Sequence, residues 1–122
     1  MSDDKYKNTP LAKKLGLADG MRVGVVGRLP DAELPQCDFV RNPRAACDAL
    51  LWFAEDEGEI RSKIERLAGL APSFWIFWRK GLKTGLKEQD LRDVALPLGF
   101  VDYKVVSFDD TWSGLRFKRR GA

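Results

Sequence analysis

Two stretches, Ala49 to Ala54 and Phe74 to Trp78, are apolar at every position. Continuous runs of this length, bounded by polar residues, belong to strands covered on both faces, so strands are expected over 48–54 and 73–79. The second is the most apolar in the chain and is expected mid-sheet. Met21-Arg22-Val23-Gly24-Val25-Val26-Gly27 is a β-branched run between glycines and predicts the first strand, with Gly24 marking a close approach inside it. A short edge strand is expected over 36–41, and two final strands over 101–108 and 113–119, joined by the turn-rich Asp109-Asp110-Thr111-Trp112 as an antiparallel hairpin.

Between these runs the apolar period changes to that of a helix. Ile60, Ile64 and Leu67 recur behind Glu55, Asp56 and Glu57, acids placed where a helix N-terminus favours negative charge, and Gly69 ends the segment. Leu86, Leu91, Val94, Ala95 and Leu98 form the stripe of another helix, which Pro97 must end or kink. Near the start, Thr9 as N-cap and Pro10 at the first helical position open a short helix that Gly16 closes, and Asp19-Gly20 makes a turn. Arg28 to Pro35 holds two prolines and is too short for a full crossover helix, so one helical turn or a loop is expected there.

Strands alternating with helices imply right-handed βαβ crossovers and a mostly parallel sheet. The C-terminal ending, the helix over 86–98 followed by the hairpin 101–108 and 113–119, resembles the way the sheet of Rossmann-like methyltransferases finishes, with the last strand inserted antiparallel beside its neighbour. This resemblance implies the strand order (36–41), (21–27), (48–54), (73–79), (113–119), (101–108), with only 113–119 antiparallel.

Composition narrows the class. With 122 residues, 44% hydrophobic and 32% charged, the chain is expected to be one α/β domain over 1–122, with residues 1–8 flexible. No apolar run approaches the ~20 residues that span a bilayer, and the polar, acidic opening is unlike a signal peptide, so a cytoplasmic location and no membrane partner are expected. Cys37 and Cys47, ten apart and outside any CxxC pattern, read as free thiols. There is no histidine, which removes Ser–His–Asp and Cys–His catalysis, histidine zinc sites and the usual proton shuttle near neutral pH. No metal is expected.

The segment Ala95-Leu96-Pro97-Leu98-Gly99-Phe100-Val101-Asp102-Tyr103-Lys104-Val105, then Asp109 and Thr111 to Phe117, resembles an uncharacterised bacterial family of short methyltransferase-like proteins, a domain of unknown function. Pro10-Leu11-Ala12-Lys13-Lys14-Leu15-Gly16 with Gly20-Met21-Arg22-Val23 resembles the same family's opening. The resemblance implies a trimmed Rossmann-like, methyltransferase-like three-layer sandwich, and it brings no catalytic residues.

Set against that fold, the cofactor chemistry is missing. A methyltransferase of this kind needs a glycine-rich turn after the first strand and an acid after the second to hold ribose hydroxyls. Here one glycine stands in Gly27-Arg28-Leu29-Pro30, and Val40-Arg41-Asn42 stands where the acid belongs. No S-adenosylmethionine site and no other cofactor are expected, and the residues argue against an enzyme.

Ligands of doubly wound sheets bind beyond the carboxyl ends of the parallel strands. Those ends carry Gly27-Arg28, Arg41-Asn42, Glu55-Asp56, Arg79-Lys80-Gly81 and Asp109-Asp110, with Trp112 and Ser113 joining from the antiparallel strand. The candidate ligand-binding residues are Arg28, Arg79, Lys80, Asp109, Trp112 and Ser113, and the ligand expected there is small and anionic or nucleotide-like. Polar strand ends and Asp-rich turns are also ordinary features of any α/β domain. The alternative role is protein interaction or self-association, in which the edge formed by 36–41 beside 21–27 pairs with another chain. The net charge of +3 is too mild to imply nucleic acid, since Phe74 to Trp78 read as a central strand, and Arg116, Lys118, Arg119 and Arg120 as an outward strand face and solvated tail.

Overall fold

The computed structural model of the chain describes residues 10–81 and 85–121. Its elements are α1 (Leu11–Leu15), β1 (Arg22–Val26), β2 (Asp38–Arg41), β3 (Ala49–Phe53), α2 (Glu57–Ala68), β4 (Ser73–Arg79), α3 (Glu88–Ala95) running into a 3₁₀ turn (Leu96–Leu98), β5 (Phe100–Ser107) and β6 (Trp112–Arg119). The strands form one sheet in the order β2-β1-β3-β4-β6-β5. All neighbours are parallel except those of β6, which runs antiparallel to both β4 and β5. The order and directions that the resemblance implies are those observed.

Alternation within the buried strands divides the core in two. Leu50, Trp52, Phe74, Ile76, Leu115 and Phe117 face one side, where they meet Ile60, Ile64 and Leu67 of α2 and Leu91, Val94 and Ala95 of α3. Val23, Val25, Leu51, Phe53, Trp75 and Phe77 face the other, beneath Leu15, Leu17, Phe108 and Trp112. Two amphipathic helices cover the first side. Among the described residues the second has only the five-residue α1 and irregular chain, so the described part of the third layer is thin.

Local chemistry sets the ends. The side chain of Asp56 caps α2 by accepting from the Glu59 N–H at 2.8 Å. Pro97 falls in the 3₁₀ turn, where α3 tightens and stops. Gly16 closes α1 in the left-handed region, but α1 starts one residue later than expected, with Pro10 preceding it. The expected cap Thr9 and the residues expected to be flexible, 1–8, lie outside the described residues. Gly24 is a close approach: a Cβ there would stand 2.6 Å from Pro43 and 2.8 Å from Leu50.

The segment from Gly27 to Cys37 contains no helix, and Leu29, Leu34 and Cys37 lie half-buried against the second side of the sheet. A right-handed crossover from β1 to β2 must run over that side, because β1 to β2 moves across the sheet opposite to β3 to β4, whose helix α2 lies on the first side. The two prolines leave that place without a helix.

Cys37 and Cys47 are free thiols. Burial pushes both above the ordinary thiol range, with Asp19 adding to the effect at Cys37. Among the described residues no helix is long and apolar enough to cross a membrane.

Candidate functional site

The carboxyl ends of β1 and β3 face each other where the connections leave toward opposite edges of the sheet, which is where open α/β sheets form a crevice. A cleft of about 640 Å³ opens there beside β1 and β2, lined by Val25, Gly27, Arg28, Leu29, Phe39 and Arg41. It lies on the side left bare by the helix-free crossover. A second hollow of about 400 Å³ shares Gly27, Arg28 and Arg41 with the first, and adds Asn42, Phe53, Glu55, Glu59 and Lys63.

The backbone at this place is specialised. Gly27 has φ of 88°, and a Cβ on it would sit 2.5 Å from the Phe53 carbonyl oxygen. Only glycine satisfies both conditions, so β1 can turn against the end of β3 and leave the cleft open. Asn42 is the one described non-glycine residue at positive φ, 48°, and its N–H donates to the Val25 carbonyl at 2.8 Å. Asparagine tolerates this conformation, which folds the end of β2 over that of β1.

The charges at the cleft are unequally employed. Both oxygens of Glu55 accept from Arg79, Nε to Oε1 and Nη2 to Oε2, each at 3.0 Å. Glu59 accepts from the Trp52 indole N–H at 2.7 Å and from the Glu55 backbone N–H at 3.2 Å. Arg28, Arg41 and Lys63 make no ion pair or side-chain hydrogen bond among the described residues. Arg79 neutralises Glu55, whereas Glu59 keeps its charge because both of its donors are neutral. Three cations, Arg28, Arg41 and Lys63, then face that one carboxylate, so the field the cleft presents is net positive.

Of the residues expected to bind ligand, Arg28 lines both hollows. The others lie farther along the sheet and hold one another. Arg79 stacks over Trp112 with its guanidinium carbon 4.5 Å from the ring, and hydrogen bonding to Glu55 holds that guanidinium above its ordinary pKa. Trp112 is only 6% exposed and packs edge-on against Phe53. Lys80 donates to Ser107 Oγ at 2.6 Å, and its backbone N–H donates to Thr111 O at 2.8 Å. Asp109 Oδ1 accepts from the N–H groups of Thr111 and Trp112, both at 2.8 Å, which makes it the turn residue of the β5–β6 hairpin. Ser113 is paired between Trp78 and Ser107.

Arg41 stood on the expected rim but not among the candidate ligand-binding residues; it lies in register with Val25, and both line the cleft. Lys63 and Glu59 escaped sequence reasoning. The signal was available, because both are the polar residues preceding Ile60 and Ile64 on α2, at the border of its buried stripe and one turn from the strand end.

No family model matches the chain, and no curated protein does. Solved structures do match, at the level of fold. A magnesium protoporphyrin IX methyltransferase from Synechocystis, with bound SAM, superposes with a TM-score of 0.53 at 16% identity, over 83% of this chain and 71% of that one. A putative RNA methyltransferase from Pyrococcus horikoshii gives 0.57 at 12% identity, over 90% and 80%. A protein of the NADB-Rossmann superfamily from Streptococcus agalactiae gives 0.56 at 10% identity, over 94% and 69%. The chain has a Rossmann-like fold of the kind these methyltransferases share, with a six-stranded sheet.

Proposed function

We propose that the chain is a degenerate methyltransferase-like domain that binds a small anionic, nucleotide-like ligand in the cleft beside β1 and performs no methyl transfer. The observation that carries this reading is the imbalance at the cleft: Glu55 and Glu59 are committed to Arg79 and Trp52, while Arg28, Arg41 and Lys63 have no described partner. Cations facing a partly apolar hollow suit a phosphate attached to a planar or apolar body, through charge-assisted contacts strengthened by reduced solvent screening. S-adenosylmethionine is a poor match. Its ribose hydroxyls would meet Arg41 where an acceptor is needed, and its sulfonium would enter a positive field.

Calorimetry with adenosine monophosphate, pyrophosphate and S-adenosylmethionine tests this. The phosphorylated ligands are expected to bind and S-adenosylmethionine is not. Arg28→Gln and Arg41→Gln are each expected to weaken phosphate binding about tenfold, the loss of one charge-assisted hydrogen bond. Micromolar binding of S-adenosylmethionine would overturn the reading.

Self-association through the β2 edge has less support. β2 has four residues and carries Asp38 and Arg41 at its ends, the short, charged form in which edge strands resist pairing.

A further inference from the structure

At the opposite end of the sheet from the cleft, β5 and β6 form a surface that neither the fold nor the cleft explains. Their register shifts between Asp102 and Lys104, so Tyr103 is the extra residue of a β-bulge. Bulges re-aim side chains. This one sets Tyr103, 40% exposed, with Lys118 Nζ 5.0 Å and the Arg116 guanidinium carbon 5.5 Å from its ring centroid.

Lys104 and Arg116 are direct cross-strand partners, and Lys118 lies two residues along on the same face. Like charges placed opposite one another on a sheet are destabilising. None of the three forms an ion pair among the described residues. The nearest acid of β5, Asp102, points to the other face, where Arg92 of α3 takes it at 3.1 Å. Arg116 is held in place by donating to Ser73 Oγ at 3.1 Å and by lying over Trp75, and its guanidinium borders Gly16 at the end of α1, one turn from Lys13 and Lys14. A row of cations with no acid paired to it among the described residues, and with one aromatic ring turned into it, fits an external polyanion that also offers flat faces.

We propose that this face of β5 and β6 binds single-stranded nucleic acid, with Lys104, Arg116 and Lys118 following the phosphates and Tyr103 stacking on a base. No described cavity lies here, and a flat surface suits an extended polymer better than an enclosed metabolite. Bases account for the tyrosine, for which a purely sulfated or phosphorylated polymer has no use.

Fluorescence anisotropy of a short labelled oligouridylate at low salt tests the proposal, with heparin as a base-free competitor. Binding should weaken steeply with salt. Tyr103→Ala should cost about tenfold in affinity with the salt slope unchanged, and Tyr103→Phe should retain binding. Lys104→Gln with Lys118→Gln should lower the slope by about one to two. Tyr103 and Lys104 are exposed and Lys118 is half-buried at the sheet surface, none of them in the core, so melting curves should stay close to that of the parent chain. The proposal is overturned if the oligonucleotide does not bind at low salt, if Tyr103→Ala affects heparin and oligouridylate equally or neither, or if Arg28→Gln and Arg41→Gln remove the binding while the β5–β6 variants do not.

Discussion

Replacing Phe77 with alanine is expected to destabilise the chain by about 3–5 kcal/mol, a large share of the ~5–15 kcal/mol that holds a domain of this size together. Phe77 is fully buried at the middle of β4. Its ring stacks on Phe53 with centroids 4.5 Å apart and on Trp75 at 5.8 Å, and meets Phe108 edge-on at 5.3 Å. It also lies directly over Gly114 of β6, where an added Cβ would come within 2.5 Å of the ring. Removing the ring opens a cavity lined by three aromatics on the thinly covered side of the sheet, where little chain is free to collapse into it. Chemical denaturation should show the midpoint falling with the slope unchanged. A loss below about 1 kcal/mol would mean that the second side is loosely packed, contrary to the stacked geometry.

Gly27→Ala is expected to cost about 2–4 kcal/mol, combining the strain of a side chain at positive φ with a contact against backbone that cannot move aside. The obstacle is the Phe53 carbonyl, whose strand is fixed by β1 on one flank and β4 on the other. Unlike the Phe77 variant, this one acts at the cleft, since Gly27 lines both hollows. Any surviving folded protein should therefore also lose phosphate binding. Gly20→Ala is the control: Gly20 also has positive φ, but a Cβ there meets nothing, so its cost should stay near the strain alone.

The two faces of the sheet place different demands on sequence, and this decides how much of the fold could be read. Strands buried on both faces announce themselves as unbroken apolar runs, so β3 and β4 were legible to within a residue, while the place of β6 between β4 and β5 came from the resemblance of the C-terminal ending to methyltransferase sheets. Pro30 and Pro35 argued against a full crossover helix and left one helical turn or a loop, of which the loop is what forms. The bulge at Tyr103 did not, because Val101 to Phe108 reads as an ordinary strand until its register against β6 is known.

The site was harder to read for a related reason. Arg28, Arg79 and Lys80 all leave the carboxyl ends of parallel strands, and chain order alone makes them equivalent. Which of them stays unmatched depends on a neighbour's side chain: Glu55 reaches Arg79 across the β3–β4 boundary with both oxygens, and Ser107 and Thr111 of the hairpin take Lys80. Trp112, read as a ligand-binding residue of the rim, is buried and closes the core over Phe53. Pairings between residues 24 to 31 apart arise only once strands are laid side by side, and no local pattern encodes them.

If the unmatched cations beside β1, rather than the matched ones beyond β4, receive an anion, titration of the ¹⁵N-labelled chain with pyrophosphate should move the amide signals of Gly27, Arg28, Arg41 and Asn42, with shifts that saturate together and are abolished in Arg28→Gln with Arg41→Gln. Shifts centred on Arg79 to Gly81 and Trp112, or none beyond those caused by salt alone, would contradict it.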